Sequence, residues 1–437
     1  MLDAIIIGAG YAGMSTAALL ADSGLKVAVI EKSPIIGGRA SSFTDKEGYT
    51  WEYGAHSLRL GPKGIANQVF ERLGDPIQFL PPARDAKIIY RSRLWNRPEG
   101  VPGFLTNPVL SFKSRVLFLY LLARMKKADP GKWYDSTFMS FCRESYMNDE
   151  MKSFLGFLGM TIMCPDPQKA SAGEVIDFIQ RVLSAGTGVG EPVGGSSQLF
   201  SKLTHYIEKN GEIHLNERVT SIGIDGGRVC GVATDRSGYS ARRVVFAERL
   251  PLLFDIMDQQ LFDAAFQSYA LGIEHSSSLV FDFITDYPVS DIRGGILGVD
   301  IPLWARFQTN SDPSFTPHGK HLSTWGILLP FGFDGNEDTL KLTEKHLKIT
   351  ISKVFPHLLP NLVRERRLVV PVMNGSVLSP AQSRPNRPDI RCPSIKGLFF
   401  AGDTVRGDGC SGDISFSSAM KVADAILLET RQSYTGP

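Results

Sequence analysis

The chain has 437 residues, about three times the usual domain length of roughly 150 residues, so more than one compact unit is expected. Lys and Arg number 47 and Asp and Glu 45, a formal net charge of +2. This balance gives no electrostatic footprint for nucleic acid, and we expect no such partner. The five cysteines are scattered without a C-x-x-C pair, which excludes a zinc ribbon and a dense disulfide framework and favours the cytoplasm.

The apolar start of the chain is not typical of a secretory signal. No basic residue precedes it, and Gly8, Gly10 and Gly13 interrupt it. Every longer apolar run is broken before it reaches the 18 residues of a membrane span. We therefore expect a soluble or peripheral protein.

The first segment predicts a βαβ unit, with an apolar strand, a glycine turn, a helix and a second apolar strand in AIIIGAGYAGMSTAALLADSG and KVAVIEK. The turn has the G-x-G-x-x-G pattern of dinucleotide sites. Gly8 allows the sharp turn, Gly10 admits a pyrophosphate against bare backbone, and Gly13 allows close helix packing. Glu31 ends the second strand, where a carboxylate can accept from ribose hydroxyls. The candidate contacts here are Gly8, Gly10, Tyr11, Ala12, Gly13, Glu31 and Lys32.

The next segment carries a resemblance to a known family. The run EKSPIIGGRASSF, followed by YGAH, resembles the flavin amine oxidase superfamily and, within it, the phytoene desaturase and carotenoid isomerase-like branch. The resemblance implies that Gly38 and Arg39 lie beside the pyrophosphate of FAD, where a guanidinium can meet phosphate oxygens in pairs. It also places Ala55 and His56 near the flavin. An ordinary surface turn with a solvated Arg39 is the alternative.

A second match lies near the end of the chain, in GLFFAGDTVRGDGCSGDISFSSAMKVADAILL. The resemblance implies that Gly402 and Asp403 contact the ribityl and phosphate part of FAD. It places Gly412, Asp413 and Ile414 at the start of a helix aimed at N1 and the C2 carbonyl of the flavin. A helix N-terminus stabilises the negative charge that reduction leaves there. Asp413 as a simple N-cap is the alternative.

A third match covers residues 217–222, which correspond to the family strand that holds adenine, with Val219 as the contact. A plain hairpin is the alternative. The implied fold class is α/β, with a Rossmann-like FAD-binding domain of the GR2 type and an inserted α+β substrate domain. We predict the FAD-binding domain in residues 1–75, 195–255 and 370–437, and the substrate-binding domain in residues 76–194 and 256–369.

The first insertion also contains a candidate membrane contact. Residues 116–127 are apolar with a basic end and, with Phe104, Leu105 and Phe112, could enter one leaflet of a bilayer. Packing into the core is the alternative. Trp304, Phe307 and Trp325 either line a substrate cavity or fill a core.

Candidate catalytic groups are few. His56 is the candidate for moving a proton, and cofactor contact is its alternative role. Amine oxidases of the superfamily place a lysine near flavin N5, and Lys320 is near the corresponding stretch but in a turn-like context. His318, His321 and His357 are too dispersed for a metal site. Cys410 belongs near the ribityl end, so we expect FAD to be non-covalent.

The sequence therefore predicts an FAD-dependent oxidoreductase that dehydrogenates, desaturates or isomerises a hydrophobic small molecule of the isoprenoid or polyene class. Oxygen or a quinone is the expected electron acceptor, since a second dinucleotide fingerprint is absent from the sequence. The alternatives are a flavin amine oxidase, a protoporphyrinogen-type oxidase, and a non-catalytic prenyl-lipid carrier resembling the Rab GDP-dissociation inhibitors.

Overall fold

The computed structural model describes residues 1–54, 57–98, 100–106, 108–144 and 147–434. The helices of this part of the chain are α1 (Tyr11–Asp22), α2 (Ile65–Arg72), α3 (Gly100–Thr106), α4 (Phe112–Lys127), α5 (Phe138–Cys142), α6 (Asp149–Met160), α7 (Ala172–Ala185), α8 (Gly195–Ile207), α9 (Ala264–Leu271), α10 (Glu337–Val354) and α11 (Gly412–Tyr434). The strands are β1 (Ala4–Ile7), β2 (Val27–Ile30), β3 (Ser42–Thr44), β4 (Thr50–Glu52), β5 (Leu58–Arg59), β6 (Lys87–Tyr90), β7 (Arg93–Asn96), β8 (Val189–Gly190), β9 (Gly211–His214), β10 (Val219–Asp225), β11 (Arg228–Thr234), β12 (Gly238–Ser240), β13 (Val244–Phe246), β14 (Ser276–Thr285), β15 (Ile296–Gly298), β16 (Leu303–Phe307), β17 (His321–Leu328), β18 (Leu362–Asn374) and β19 (Leu398–Phe400).

A five-stranded parallel sheet joins three distant parts of the chain. Its order is β19, β13, β1, β2, β9, and every neighbouring pair is parallel. All residues of β1 and β2 are buried, as expected of a parallel sheet covered on both faces. Helices α1, α2, α8 and α11 share one hydrophobic cluster with these strands, and α9 and the small β10, β11, β12 sheet belong to the cluster on the other side.

A second, seven-stranded sheet has the order β18, β14, β17, β16, β15, β6, β7. The β15 and β6 pair is parallel and the other pairs are antiparallel. One face packs on α10 through a large apolar cluster. The other face carries a smaller cluster that includes Trp304, Val280 and Val370.

Helices α4 to α7 form a separate apolar cluster. It also contains Ile414, from the first turn of α11, so the helical insertion packs against the start of the last helix. The predicted division into two domains stays a prediction. One of its boundaries, between residues 369 and 370, falls inside the continuous strand β18.

Candidate active site

One long cavity of about 1640 Å³ connects the two sheets and the helical cluster. Three groups of residues line it: the glycine turn after β1 with the end of β2, residues 402–403 with 411–413, and residues of α4, α6, α7 and the seven-stranded sheet. We call the part bordered by these helices and the seven-stranded sheet the far half. Two large sheets thus present side chains to one continuous space.

The glycine turn has a different requirement at each position. Gly8 has φ of +103°, a conformation that favours glycine. A Cβ on Gly13 would lie 1.9 Å from the carbonyl oxygen of Gly8, whereas a Cβ on Gly10 would meet nothing within 4 Å. Gly13 therefore serves the packing of α1, and the bare Gly10 borders the open cavity. No side chain caps α1 at Gly10, which leaves the first-turn N–H groups for an anion.

Glu31 has a structural role that sequence reasoning missed. Its Oε2 accepts a hydrogen bond of 2.8 Å from the backbone N–H of Ala9, and its Oε1 accepts bonds from the N–H and the hydroxyl of Ser33, at 2.8 and 2.6 Å. The carboxylate is 5% exposed and lines the cavity. Glu31 thus holds the glycine turn to the end of β2 as well as facing the predicted ribose position.

Arg39 and Asp403, which are 364 positions apart in the chain, form a bidentate pair with N···O distances of 2.6 and 2.8 Å. The N–H of Gly375 donates a third hydrogen bond to Asp403, at 2.7 Å. Burial alone would raise the pKa of Asp403, but the Arg39 charge and these hydrogen bonds hold it below its usual range. The pair joins the segment after β2 to the segment after β19, and both residues line the cavity.

Asp413 is the second residue of α11 and also lines the cavity. Its side chain is buried at 3% exposure. Burial raises the pKa of Asp413 to about 7, although the charges of Arg59 and Arg181 oppose the rise. A carboxyl group that titrates near neutrality therefore faces the same space as the glycine turn.

The structure brings most of the predicted cofactor contacts together. Those that line the cavity are Gly8, Gly10, Tyr11, Ala12, Glu31, Lys32, Gly38, Arg39, Gly402, Asp403, Gly412 and Asp413. Gly13 packs inside the βα turn, and Val219 and Ile414 belong to hydrophobic clusters rather than to the cavity wall. Ala55 and His56 lie outside the described residues. The predicted contacts of all these residues with FAD stay predictions.

The far half of the cavity is mostly apolar. Helices α4, α6 and α7 supply Phe118, Leu119, Leu122, Ala123, Phe157, Leu158, Met160, Phe178, Ile179, Val182 and Leu183. On the sheet, Trp304 lines the cavity, whereas Phe307 and Trp325 lie in the core against α10. The sequence left the roles of Trp304, Phe307 and Trp325 open, because successive positions of a strand face opposite sides of the sheet.

An ion pair in this far half was also missed. Nη1 of Arg306 lies 2.5 Å from Oε2 of Glu191, and both side chains line the cavity. Burial raises the pKa of Glu191, Arg306 opposes this rise, and the charge of Glu52 adds to it. Glu191 follows the short strand β8, and no local motif marks either residue.

Two further candidates lie elsewhere. Lys320 pairs with Asp286 and does not line the cavity. Cys410 is buried, and burial raises the pKa of its thiol to about 12. Within the described ranges, no group of three His, Cys, Asp or Glu side chains is placed to bind a metal ion.

Comparison with known proteins decides the family. The model of the family described as flavin containing amine oxidoreductase matches residues 11–427. The chain belongs to this family. Membership confirms the predicted superfamily, the mixed α/β flavin-binding fold and the expectation of an oxidoreductase.

Individual relatives differ in what they act on. The phytoene desaturase of Neurospora crassa is 44% identical over 76 residues, which cover 17% of this chain and 12% of that enzyme. The L-amino-acid oxidase of Echis ocellatus is 26% identical over 376 residues, covering 78% of this chain and 70% of that protein. A solved oxidoreductase from Methanosarcina mazei has 21% identity and a TM-score of 0.81, covering 97% of this chain and 100% of that one, and shows the fold.

Proposed function

We propose that this chain is an FAD-dependent oxidoreductase that dehydrogenates, desaturates or isomerises a hydrophobic small molecule of the isoprenoid or polyene class, with FAD held non-covalently. The observation that carries this proposal is the continuity of the cavity. The glycine turn, the Arg39–Asp403 pair and the start of α11 lead directly into an apolar space between α4, α6 and α7.

The residues present fit the cofactor. The open space beside Gly10 and the uncapped start of α1 suit a pyrophosphate, and Glu31 suits a ribose. Arg39 and Asp403 would hold the phosphate and ribityl part, and the first turn of α11 would face the flavin ring. Bound FAD would supply the acceptor for two electrons. The high pKa of the Cys410 thiol disfavours the thiolate that a covalent link requires.

The apolar wall of the far half suits a hydrophobic substrate. Its eleven apolar side chains from α4, α6 and α7 exclude water and favour a long hydrophobic molecule. Asp413, with its pKa near neutrality, is placed to accept or return a proton within the cavity. Oxygen or a quinone is the proposed electron acceptor.

The first experiment is an absorption spectrum of the purified chain after reconstitution with FAD, followed by anaerobic titration with polyenes, porphyrinogens and amines. We expect a flavin band near ~450 nm that polyenes bleach. The band should leave the protein on denaturation, as non-covalent FAD does. A colourless protein would contradict the cofactor, and bleaching by amines with release of hydrogen peroxide would favour the amine oxidase alternative.

We also propose peripheral membrane contact through α4. One side of this helix lines the cavity, while Phe112, Val116 and Tyr120 are 75%, 50% and 60% exposed. Lys113 and Lys127 are exposed on the same helix and suit anionic headgroups. No helix in the described ranges has both the length and the apolar composition to span a bilayer.

Liposome co-sedimentation tests this contact. We expect the chain to pellet with anionic vesicles and a variant with serine at positions 112, 116 and 120 to remain in the supernatant. Serine at Leu342 and Ile349, two exposed apolar residues of α10, is the matched control and should leave pelleting unchanged. Wild-type protein that stays in the supernatant over neutral and anionic lipid would reject the proposal.

A further inference from the structure

The far half of the cavity contains an ion pair between a buried arginine and a half-buried glutamate that the proposed cofactor contacts do not use. Arg306 is 8% exposed, and its Nη1 lies 2.5 Å from Oε2 of Glu191. Among the described residues, Glu191 is the one hydrogen-bond partner of the Arg306 guanidinium, and its Nε meets no acceptor. A guanidinium has five N–H donors, so most of its capacity is unused.

On the sheet side the surroundings of the pair are apolar, whereas the carboxylates of Glu52 and Asp312 lie close enough to interact with its charges. Trp304 lies two residues earlier on the same face of β16, in a cluster with Val280, Leu328 and Val370. An ion pair in such a place contributes little to stability, because the loss of hydration offsets the attraction between the charges. The pair is therefore better explained by what it offers to a molecule in the cavity.

We infer that the Arg306–Glu191 pair binds an uncharged hydroxyl group at one end of an otherwise hydrophobic substrate. This inference rests on the proposed function and narrows its substrate class to isoprenoids or polyenes that carry a hydroxyl group at one end.

The chemistry of the pair selects this group. A hydroxyl can accept from the guanidinium and donate to the carboxylate at the same time. The two charges that the pair presents to the cavity sum to zero, and the nearby Glu52 and Asp312 do not line the cavity, so neither a carboxylate nor an ammonium is matched there. A carboxylate would meet the Glu191 charge and an ammonium would meet the Arg306 charge. A pure hydrocarbon would leave the polar groups of the pair without a partner in the cavity.

The test compares four ligands that share one isoprenoid skeleton: farnesol, farnesene, farnesylamine and farnesoic acid. Binding to the FAD-loaded full chain is measured by isothermal titration calorimetry. We expect farnesol to bind roughly 10-fold more tightly than the other three, as two modest hydrogen bonds would provide. Equal affinities, or no measurable binding of farnesol, would overturn the inference.

The double variant E191M/R306M removes both charges together, which avoids leaving one charge buried alone. It should lose the preference for farnesol while binding farnesene at least as well. The matched control is R243M/E429M, which removes an Arg–Glu pair outside the cavity with an N···O distance of 3.2 Å, together with the contact of Glu429 to the exposed Arg391. The control should keep the preference for farnesol. If E191M/R306M lost affinity for all four ligands equally, the result would count against the site.

The result is separable from the proposed function. Calorimetry reports binding, whereas anaerobic bleaching reports electron transfer. If the chain binds farnesol preferentially but no ligand bleaches its flavin, the result would contradict the proposed function and support the hydroxyl site. Bleaching of the flavin by hydrocarbons, together with equal affinities for the four ligands, would support the proposed function and contradict the hydroxyl site.

Discussion

At the scale of single residues, two neighbouring glycines of one motif have separate tasks. The direction in which a Cβ would point at Gly10 is open, whereas at Gly13 it is blocked by backbone. The sequence motif already predicts different roles, a pyrophosphate contact at Gly10 and close helix packing at Gly13. The structure assigns the first to the cavity and the second to the protein interior.

Substitution of Gly10 should therefore impair the cofactor and spare the fold. Gly10→Val should abolish FAD retention, because the branched side chain fills the proposed place of the pyrophosphate, and Gly10→Ala should weaken it less. The thermal unfolding midpoint of the cofactor-free chain should stay within a few degrees of wild type. Visible absorption after gel filtration measures retention, and a fully yellow valine variant would refute the assigned site.

Asp413 should make stability depend on pH in an unusual direction. Its pKa of about 7 in the folded chain is above the ordinary value near ~3.9, so the folded state binds the proton more tightly than the unfolded state. The free energy of unfolding should fall as pH rises from ~4 to ~7, by up to about 4 kcal/mol if no other group changes.

Asp413→Asn is the control for this dependence, because an amide keeps the size of the side chain but does not titrate. Urea unfolding of both proteins at several pH values gives the comparison. The difference in unfolding free energy between the wild type and Asp413→Asn should change between pH ~4 and pH ~7. Parallel curves would show that Asp413 titrates normally.

At the scale of elements, the β1–α1–β2 unit depends on close contact between helix and turn. A Cβ on Gly13 would lie 1.9 Å from the oxygen of Gly8 and 3.1 Å from Cγ2 of Ile6. No side-chain rotation relieves a clash with backbone. The unit also forms the centre of the parallel sheet, where β1 pairs with both β2 and β13.

Gly13→Ala should destabilise the whole chain by about 3 kcal/mol or more, since overpacking at this point must move the helix. Urea unfolding of soluble protein, or loss of soluble expression, measures the effect. Ser15→Ala is the control, because the buried Ser15 hydroxyl has no hydrogen-bond partner in the described part of the chain and its loss should cost little. A Gly13→Ala variant as stable as wild type would contradict the packing argument.

At the scale of the whole molecule, the proposed cofactor would bridge segments that are far apart in the chain. Arg39 and Asp403 pair directly at the cavity wall, and the parallel sheet joins β1, β13 and β19. A ligand that binds only the folded state stabilises it by mass action. Its effect should therefore extend to the complete fold.

FAD at ~100 times its dissociation constant should raise the free energy of unfolding by about 2.7 kcal/mol. Differential scanning calorimetry of the cofactor-free chain, with and without added FAD, measures the shift. The Gly10→Val variant should show no shift in unfolding temperature on addition of FAD. An unchanged unfolding temperature for the wild type with excess FAD would contradict a shared cofactor site.

The sequence by itself determined the local units at both ends. Glycines at a strand-to-helix junction and runs of apolar residues act within a few positions, so β1, α1, β2, β19 and α11 could be predicted from the chain alone. The family resemblance placed the remaining cofactor contacts in order along the chain.

Only the tertiary structure decided the far half of the cavity. Glu191 and Arg306 come from separate segments and meet because β8 and the seven-stranded sheet border the same space. Whether Trp304 or Trp325 faces that space depends on strand register, which is set by pairing with distant strands. Such contacts depend on packing between segments far apart in the sequence, and no local pattern encodes them.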